Sequence, residues 1–247
     1  MDSLQQLFDI AVVIPTVLRP HLKRAVNSIF EQDYKGRIQI LIGIDKKLGD
    51  EKIIEELQQT TPDHIAITVL DLGYSTALRN GGLYTSMAGG SLRTVLSYAA
   101  NSKYVAYLDD DNWFAPYHLS DLLKAIEGNA WAFSLRWFVD MNTHEIICED
   151  NFFSAGPGKG MYANSLGGLV DTSCYLLDKM KCHMLLSQWC ISPYRDKSCE
   201  DMQVFSTLMK NKLPFGATGR PSVYYVLETS KYPEATEWLR NKGYNIT

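Results

Sequence analysis

The sequence has no run of about 18 apolar residues, so it offers no candidate membrane-spanning helix. Its five cysteines, Cys148, Cys174, Cys182, Cys190 and Cys199, are odd in number and include no C-x-x-C pair. That argues against a disulfide framework or a zinc site and leaves small core thiols in a reducing compartment. Positive charge is also short, with 24 Lys and Arg against 28 Asp and Glu for a net charge of −4. A sequence-independent grip on nucleic acid therefore has no electrostatic basis, and no nucleic-acid partner is expected. The segment Met1 to Asp9 carries neither a basic n-region nor an apolar h-region, from which a cytoplasmic location is expected. No internal repeat, low-complexity tract or separating linker interrupts the chain.

What is present is an alternation of two hydrophobic periods. Short apolar runs rich in β-branched residues at Ile10–Ile14, Ile38–Ile44, Ile65–Leu70 and Tyr104–Leu108 read as strands. Between them, Leu22, Ala25, Val26, Ile29 and Phe30 recur at helical spacing, as do Leu92, Val95, Leu96 and Ala99 after a Ser91 cap. A further stripe, Leu119, Leu122, Leu123 and Ile126, follows Pro116 placed as a first-turn proline. This order predicts βαβ units around a mostly parallel, Rossmann-like sheet. Beyond residue 130 the rhythm changes. Trp131–Val139, Glu145–Cys148, Gly167–Leu177 and Val223–Val226 read as strands, while Glu200–Lys210 and Glu234–Lys242 read as helices. Asn151–Gly168 is glycine-rich and aperiodic, the composition of a mobile loop or lid. Its Gly156-Pro157-Gly158-Lys159-Gly160 stretch fails the phosphate-loop pattern at both ends, with Phe153 where Gly is needed and Gly160, before Met161, where Ser or Thr is needed.

In an open parallel sheet, ligands collect at the carboxyl ends of strands. Three such ends are polar or acidic: Thr16, Asp45, and the run Asp109-Asp110-Asp111-Asn112. Three adjacent carboxylates repel one another unless a cation offsets them, and an all-oxygen donor set points to Mg²⁺ or Mn²⁺. The competing reading is a solvated turn that caps the next helix. Val105 to Leu108 before the run and Trp113-Phe114 after it place it at the edge of a core.

The chain at this point resembles family 2 of the glycosyltransferases, enzymes of the GT-A fold. The resemblance is carried by Val12-Val13-Ile14-Pro15-Thr16, Arg19-Pro20-His21-Leu22 and Ser28 to Tyr34, then by Ile42-Gly43-Ile44-Asp45 and Ala77 to Gly82. It continues through Tyr107 to Asp111 and Cys199-Glu200-Asp201-Met202. It implies one GT-A domain over residues 1–247, with a nucleotide-binding half to about residue 112 and a smaller acceptor-binding half from about 113. It implies transfer of a sugar, with inversion, from a nucleoside-diphosphate sugar, UDP by default, to a hydroxyl of a saccharide or lipid-linked saccharide. Thr16, Asp45 and Arg79 would then bind the nucleotide with Asp109 and Asp110, Asp109 at the ribose. Asp111, with Asp109, would hold the metal, Mn²⁺ or Mg²⁺.

For the base, the resemblance points to the pair Glu200 and Asp201, with Asp201 first. Ser198-x-x-Asp201 also fits a helix cap, and an acid is favoured there by the helix dipole alone. Asp171 and Trp137 are the expected acceptor contacts. Three positions depart from the family pattern: Val17-Leu18, Lys46 after Asp45, and Tyr224-Tyr225 where some relatives place a metal-binding histidine. The alternatives are a noncatalytic nucleotide-sugar-binding protein and a sugar nucleotidyltransferase. The latter would need a glycine-rich turn where Pro15-Thr16-Val17-Leu18-Arg19 stands. Peripheral association with the inner membrane surface and self-association are both compatible with the sequence.

Overall fold

The computed structural model describes residues 7–86, 89–193 and 199–244. Strands β1 (Phe8–Thr16), β2 (Ile38–Ile44), β3 (Ile65–Asp71) and β4 (Ser102–Tyr107) form the parallel part, with helices α1 (Leu22–Phe30), α2 (Lys52–Gln59) and α3 (Gly90–Ala99) between them. β5 (Trp113–Phe114) and α4 (His118–Ala125) lead into β6 (Trp131–Asp140) and β7 (Ile146–Glu149). The short β8 (Gly156–Pro157) and β9 (Gly168–Leu169) pair with each other, and β10 (Tyr175–Asp178), α5 (Glu200–Lys210), β11 (Phe215–Leu227) and α6 (Pro233–Asn241) complete the order.

One nine-stranded sheet, in the order β3-β2-β1-β4-β10-β6-β11-β5 with β7 beside β6, runs through the described residues. β1 pairs parallel with β2 and β4, and β2 with β3, whereas β10 is antiparallel to both β4 and β6. All seven residues of β2 and the last seven of β1 are buried, as expected where helices cover both faces of a parallel sheet. Gly43 eases that covering: a Cβ there would lie 2.9 Å from Leu96 Cδ1 and 3.2 Å from Leu92 Cβ, so α3 packs close against β2 at the glycine.

A second cluster, Phe138, Leu227, Ala235 and Leu239, lies under α6 with Phe152, Phe153 and Trp238 packed against it. Among the described residues no helix is long and apolar enough to cross a membrane.

Several boundaries differ from those expected. α3 begins at Gly90 after a left-handed Gly89, so Ser91 lies inside the first turn and does not cap it. Pro116 stands before α4, whose flanking residue is Tyr117. Helix α2 and a 3-10 helix at His183–Cys190 were not anticipated. β11 is far longer than Val223–Val226, because register shifts around Pro221 absorb residues that cannot pair regularly. The 151–168 segment is pinned by the β8–β9 pair and by Asp150, which accepts from the amides of Phe152, Phe153 and Ser154. Ser198 of the expected cap lies outside the described residues.

Candidate active site

The carboxyl ends of β1 to β4 form one rim, as βαβ connectivity requires. At the end of β2, buried Asp45 donates its amide to the Thr16 carbonyl at 2.9 Å and accepts a hydrogen bond from Ser75 Oγ at 2.7 Å. Ser75 is steadied in turn by Asn80 Nδ2 at 3.1 Å. Asp45, Lys46, Asp71 and the 73–84 loop enclose an open cavity of about 710 Å³, within the usual range for a small-molecule site. Arg79 is exposed and is not among the residues lining this cavity.

The three carboxylates of the acidic run have different partners. Asp110 is buried; it accepts from Thr16 Oγ1 at 2.6 Å and pairs with Arg19. Thr16 Oγ1 also accepts from the Leu18 amide at 2.8 Å, so Thr16 acts on the turn and on Asp110 rather than on the cavity. Asp109 pairs with Arg93, a guanidinium buried in α3. Asp111 stays partly open, with Arg19 Nη1 at 3.1 Å and its carbonyl accepting from Arg24 at 2.8 Å. Burial first, and then the neighbouring Asp109, push the Asp111 carboxyl up to about 6, against the pull of Arg19.

No group of three His, Cys, Asp or Glu able to hold a metal occurs among the described residues. The donor chemistry fits a narrower role. Asp111, which shares its ion-pair partner Arg19 with Asp110, and Asp109 beside it suit a hard divalent cation that draws its other ligands from phosphates and water.

A second acidic group faces this run. Asp171 caps the 3-10 turn Thr172–Cys174, accepting from the Ser173 amide at 2.9 Å, and Ser173 Oγ accepts from the Asp109 amide at 3.2 Å. One turn thus fixes both Asp171 and the backbone of Asp109. The other Asp171 oxygen meets Arg136 Nη1 at 2.6 Å, while Arg136 Nε donates to Asp150 at 2.7 Å and its guanidinium lies 3.6 Å from the centre of the Tyr225 ring. Burial pushes the Asp171 carboxyl up and Arg136 pulls it back.

Asp201, half-buried in the first turn of α5, is pushed up to about 7 by burial and then by the charge of Asp171, with the Met202 amide opposing. Glu200 is buried at 3% exposure, so Asp201 is the more accessible carboxylate of the pair.

Asp109 and Asp201 are therefore each within electrostatic reach of Asp171, though the three stand in sequence-remote elements. Trp137 is not with them. Successive residues of a strand face opposite ways, so Trp137 lies on the other face of β6 from Arg136. There it packs on Tyr224, with centroids 4.8 Å apart, and Tyr224 stacks on Trp113 at 5.0 Å. Arg24 covers Trp113 at 3.9 Å.

The residues that sequence reasoning missed are the cations Arg93 and Arg136 and the partner Asp150. A signal did exist: Arg93 is the one charged residue of α3, and Arg136 is the one charged residue of β6 before its last position.

The family model described as glycosyl transferase family 2 matches residues 11–146. No curated protein matches the chain by sequence. Among solved structures, residues 1–349 of S. aureus TarS in complex with UDP-GlcNAc superpose with a TM-score of 0.61 at 15% identity, covering 89% of this chain and 59% of that one. The mannosyltransferase PcManGT from Pyrobaculum calidifontis, in complex with GDP-Man and Mn²⁺, gives a TM-score of 0.57 at 14% identity, covering 96% of this chain and 61% of that one. The chain thus spans about three fifths of each of these structures, and the likeness is one of fold.

Proposed function

The chain belongs to glycosyl transferase family 2, and on that premise we propose that it transfers a sugar, with inversion, from a nucleoside-diphosphate sugar to an acceptor hydroxyl. The observation that carries this reading is the pairing of two features: a nucleotide-sized cavity beside Asp45, and a half-buried Asp201 whose carboxyl is pushed up to about 7. A base with proton affinity near neutrality is matched to deprotonating a hydroxyl. Asp201 takes the acceptor proton as that oxygen attacks the anomeric carbon. The bond from carbon to the diphosphate oxygen breaks on the opposite face, and the electron pair leaves with the nucleotide.

Asp45 orients the base of the nucleotide, and Asp109 the ribose. Asp171, which is held by Arg136 and the Ser173 amide, contacts the acceptor in this reading. A Mn²⁺ or Mg²⁺ ion held by Asp111 with Asp109 would supply positive charge for the departing diphosphate. Uracil is our choice of base, supported by the TarS complex with UDP-GlcNAc, although the neighbour bound to GDP-Man takes guanine. The acceptor is a saccharide, free or lipid-linked.

The test is thermal shift with a panel of nucleoside diphosphates, with and without Mn²⁺, on the wild type and Asp111→Asn. Ligand at about 100 times Kd should add about 2.7 kcal/mol of stability. A cation-dependent shift with one nucleotide, lost in the variant, is expected; no shift with any nucleotide at millimolar concentration would overturn the reading. Asp201→Asn should keep that shift and lose roughly 10²–10⁴-fold in kcat. Unchanged turnover in that variant removes Asp201 as the base.

A further inference from the structure

Acidic residues are unevenly spread. The chain has 28 Asp and Glu, yet residues 72–108 and 179–195 contain none. The fold brings these two segments together. Tyr98 Oη donates to the His183 carbonyl at 2.8 Å, Lys179 Nζ to the Tyr98 carbonyl at 3.0 Å, and Thr94 Oγ1 to the Leu186 carbonyl at 3.1 Å. The result is a continuous face made of α3 and the 3-10 helix His183–Cys190. Asp178, at its border, is buried and bonded to the amides of Met180 and Lys181.

The two segments are also unusually apolar. Nine of the sixteen exposed large hydrophobic side chains among the described residues come from these two segments. Met180 and Met184 are 74% and 72% exposed, with Val95 and Tyr98 about half exposed beside them. Exposed Lys103, Lys181 and His183 border these residues, and half-buried Lys179 lies among them. The 73–84 loop, which lines the cavity beside Asp45, carries exposed Tyr74, Leu83 and Tyr84 and leads to the 3-10 helix, where the Ser86 amide donates to the Cys190 carbonyl at 3.3 Å.

We propose that this face docks on an anionic lipid bilayer. Two properties favour a bilayer over a second copy of the chain or a folded protein. Positive charge and a lack of exposed acid make the face complementary to a negative surface and repulsive to a copy of itself. Flexible methionines, a tyrosine and long-stemmed lysines suit the boundary between head groups and acyl chains, where an apolar body sinks and a polar tip stays wet. Docking there brings the rim of the cavity to the membrane surface. The inference stands on surface chemistry alone and does not depend on the transferase reading.

The test is co-sedimentation of the full chain with vesicles of phosphatidylcholine alone or with about one third phosphatidylglycerol. Binding is expected only to the anionic vesicles and should weaken with salt. Met180→Ser with Met184→Ser, and separately Lys103→Glu with Lys181→Glu, should each weaken it roughly tenfold or more, by lost insertion and by lost attraction respectively. Both pairs are exposed, so unchanged circular dichroism and melting should accompany the loss. Wild-type protein that ignores anionic vesicles, binds both kinds equally, or binds undiminished in both variants overturns the proposal. So does concentration-dependent self-association abolished by the methionine variant, which would assign the face to a second copy.

Discussion

Strands β2 and β6 are both largely buried, but they bury different things. From Ile38 to Ile44 the contents of β2 are aliphatic side chains, one glycine and Gln39, which bonds outward to the Asn101 amide and Thr68. β6 carries Arg136 into the interior and surrounds it with Asp150, Asp171 and the ring of Tyr225. The first half of the sheet is a scaffold held largely by hydrocarbon, and its charged groups appear only near strand ends. The second half has charge within the strand layer, next to the half-buried Asp201. Buried charge is a poor source of stability but a rigid means of holding a carboxylate. The difference therefore separates a half that supports the site from a half that tunes it.

The largest expected effect tests that division directly. Arg136→Met leaves Asp150 and Asp171 buried without their cation and should cost about 3–5 kcal/mol in urea unfolding. Ile40→Ala in β2, which only removes hydrocarbon, should cost about 2–5 kcal/mol and leave the pH dependence of activity unchanged. If Arg136→Met costs less than 1 kcal/mol, the two halves do not differ in this way.

A smaller effect sharpens the comparison. Asp171→Asn removes the like charge that helps raise Asp201, so the acidic limb of the pH–rate profile should move to lower pH. An unmoved limb would mean that Asp171 does not set the proton affinity of the base.

The smallest effect is on stability. Asp201 is raised in the folded state from 3.8 to about 7, so its contribution is fully present below about pH 4 and is lost as pH rises through 7. Asp201→Asn cannot ionise and should gain about 1–2 kcal/mol at pH 8 after solvent screening, a few degrees in Tm, with little change at pH 4. A variant less stable than wild type at pH 8 would contradict this.

The same contrast explains what could be read in advance. Hydrophobic period is a local signal, so β2 and α1 fall where Ile38–Ile44 and Leu22–Phe30 indicate. The acidic turn was legible as a cluster, but not the division of labour within it. That Asp110 is spent on Thr16 and Arg19 while Asp111 stays open depends on partners 91 to 94 residues away. Arg136 and Trp137 are neighbours in sequence, and nothing local says which faces the acidic group. Trp137 reads as an acceptor contact, whereas the strand's pleat turns Arg136 toward the acidic group. Asp150 looked like the start of a loop because its value lies in folding that loop back over β6. Glu200 and Asp201 were separable only by burial.

The position of β10 has a consequence for the protein's synthesis. β4 ends at Tyr107, yet the strand that covers its free edge begins at Tyr175. A ribosome adding about 5–20 residues per second needs roughly ten seconds to cross that gap. Throughout it the nascent sheet presents an unpaired apolar strand, an open template for a neighbouring chain. Yield in the cell should therefore respond to chaperone supply and growth temperature more than the stability of the finished fold suggests.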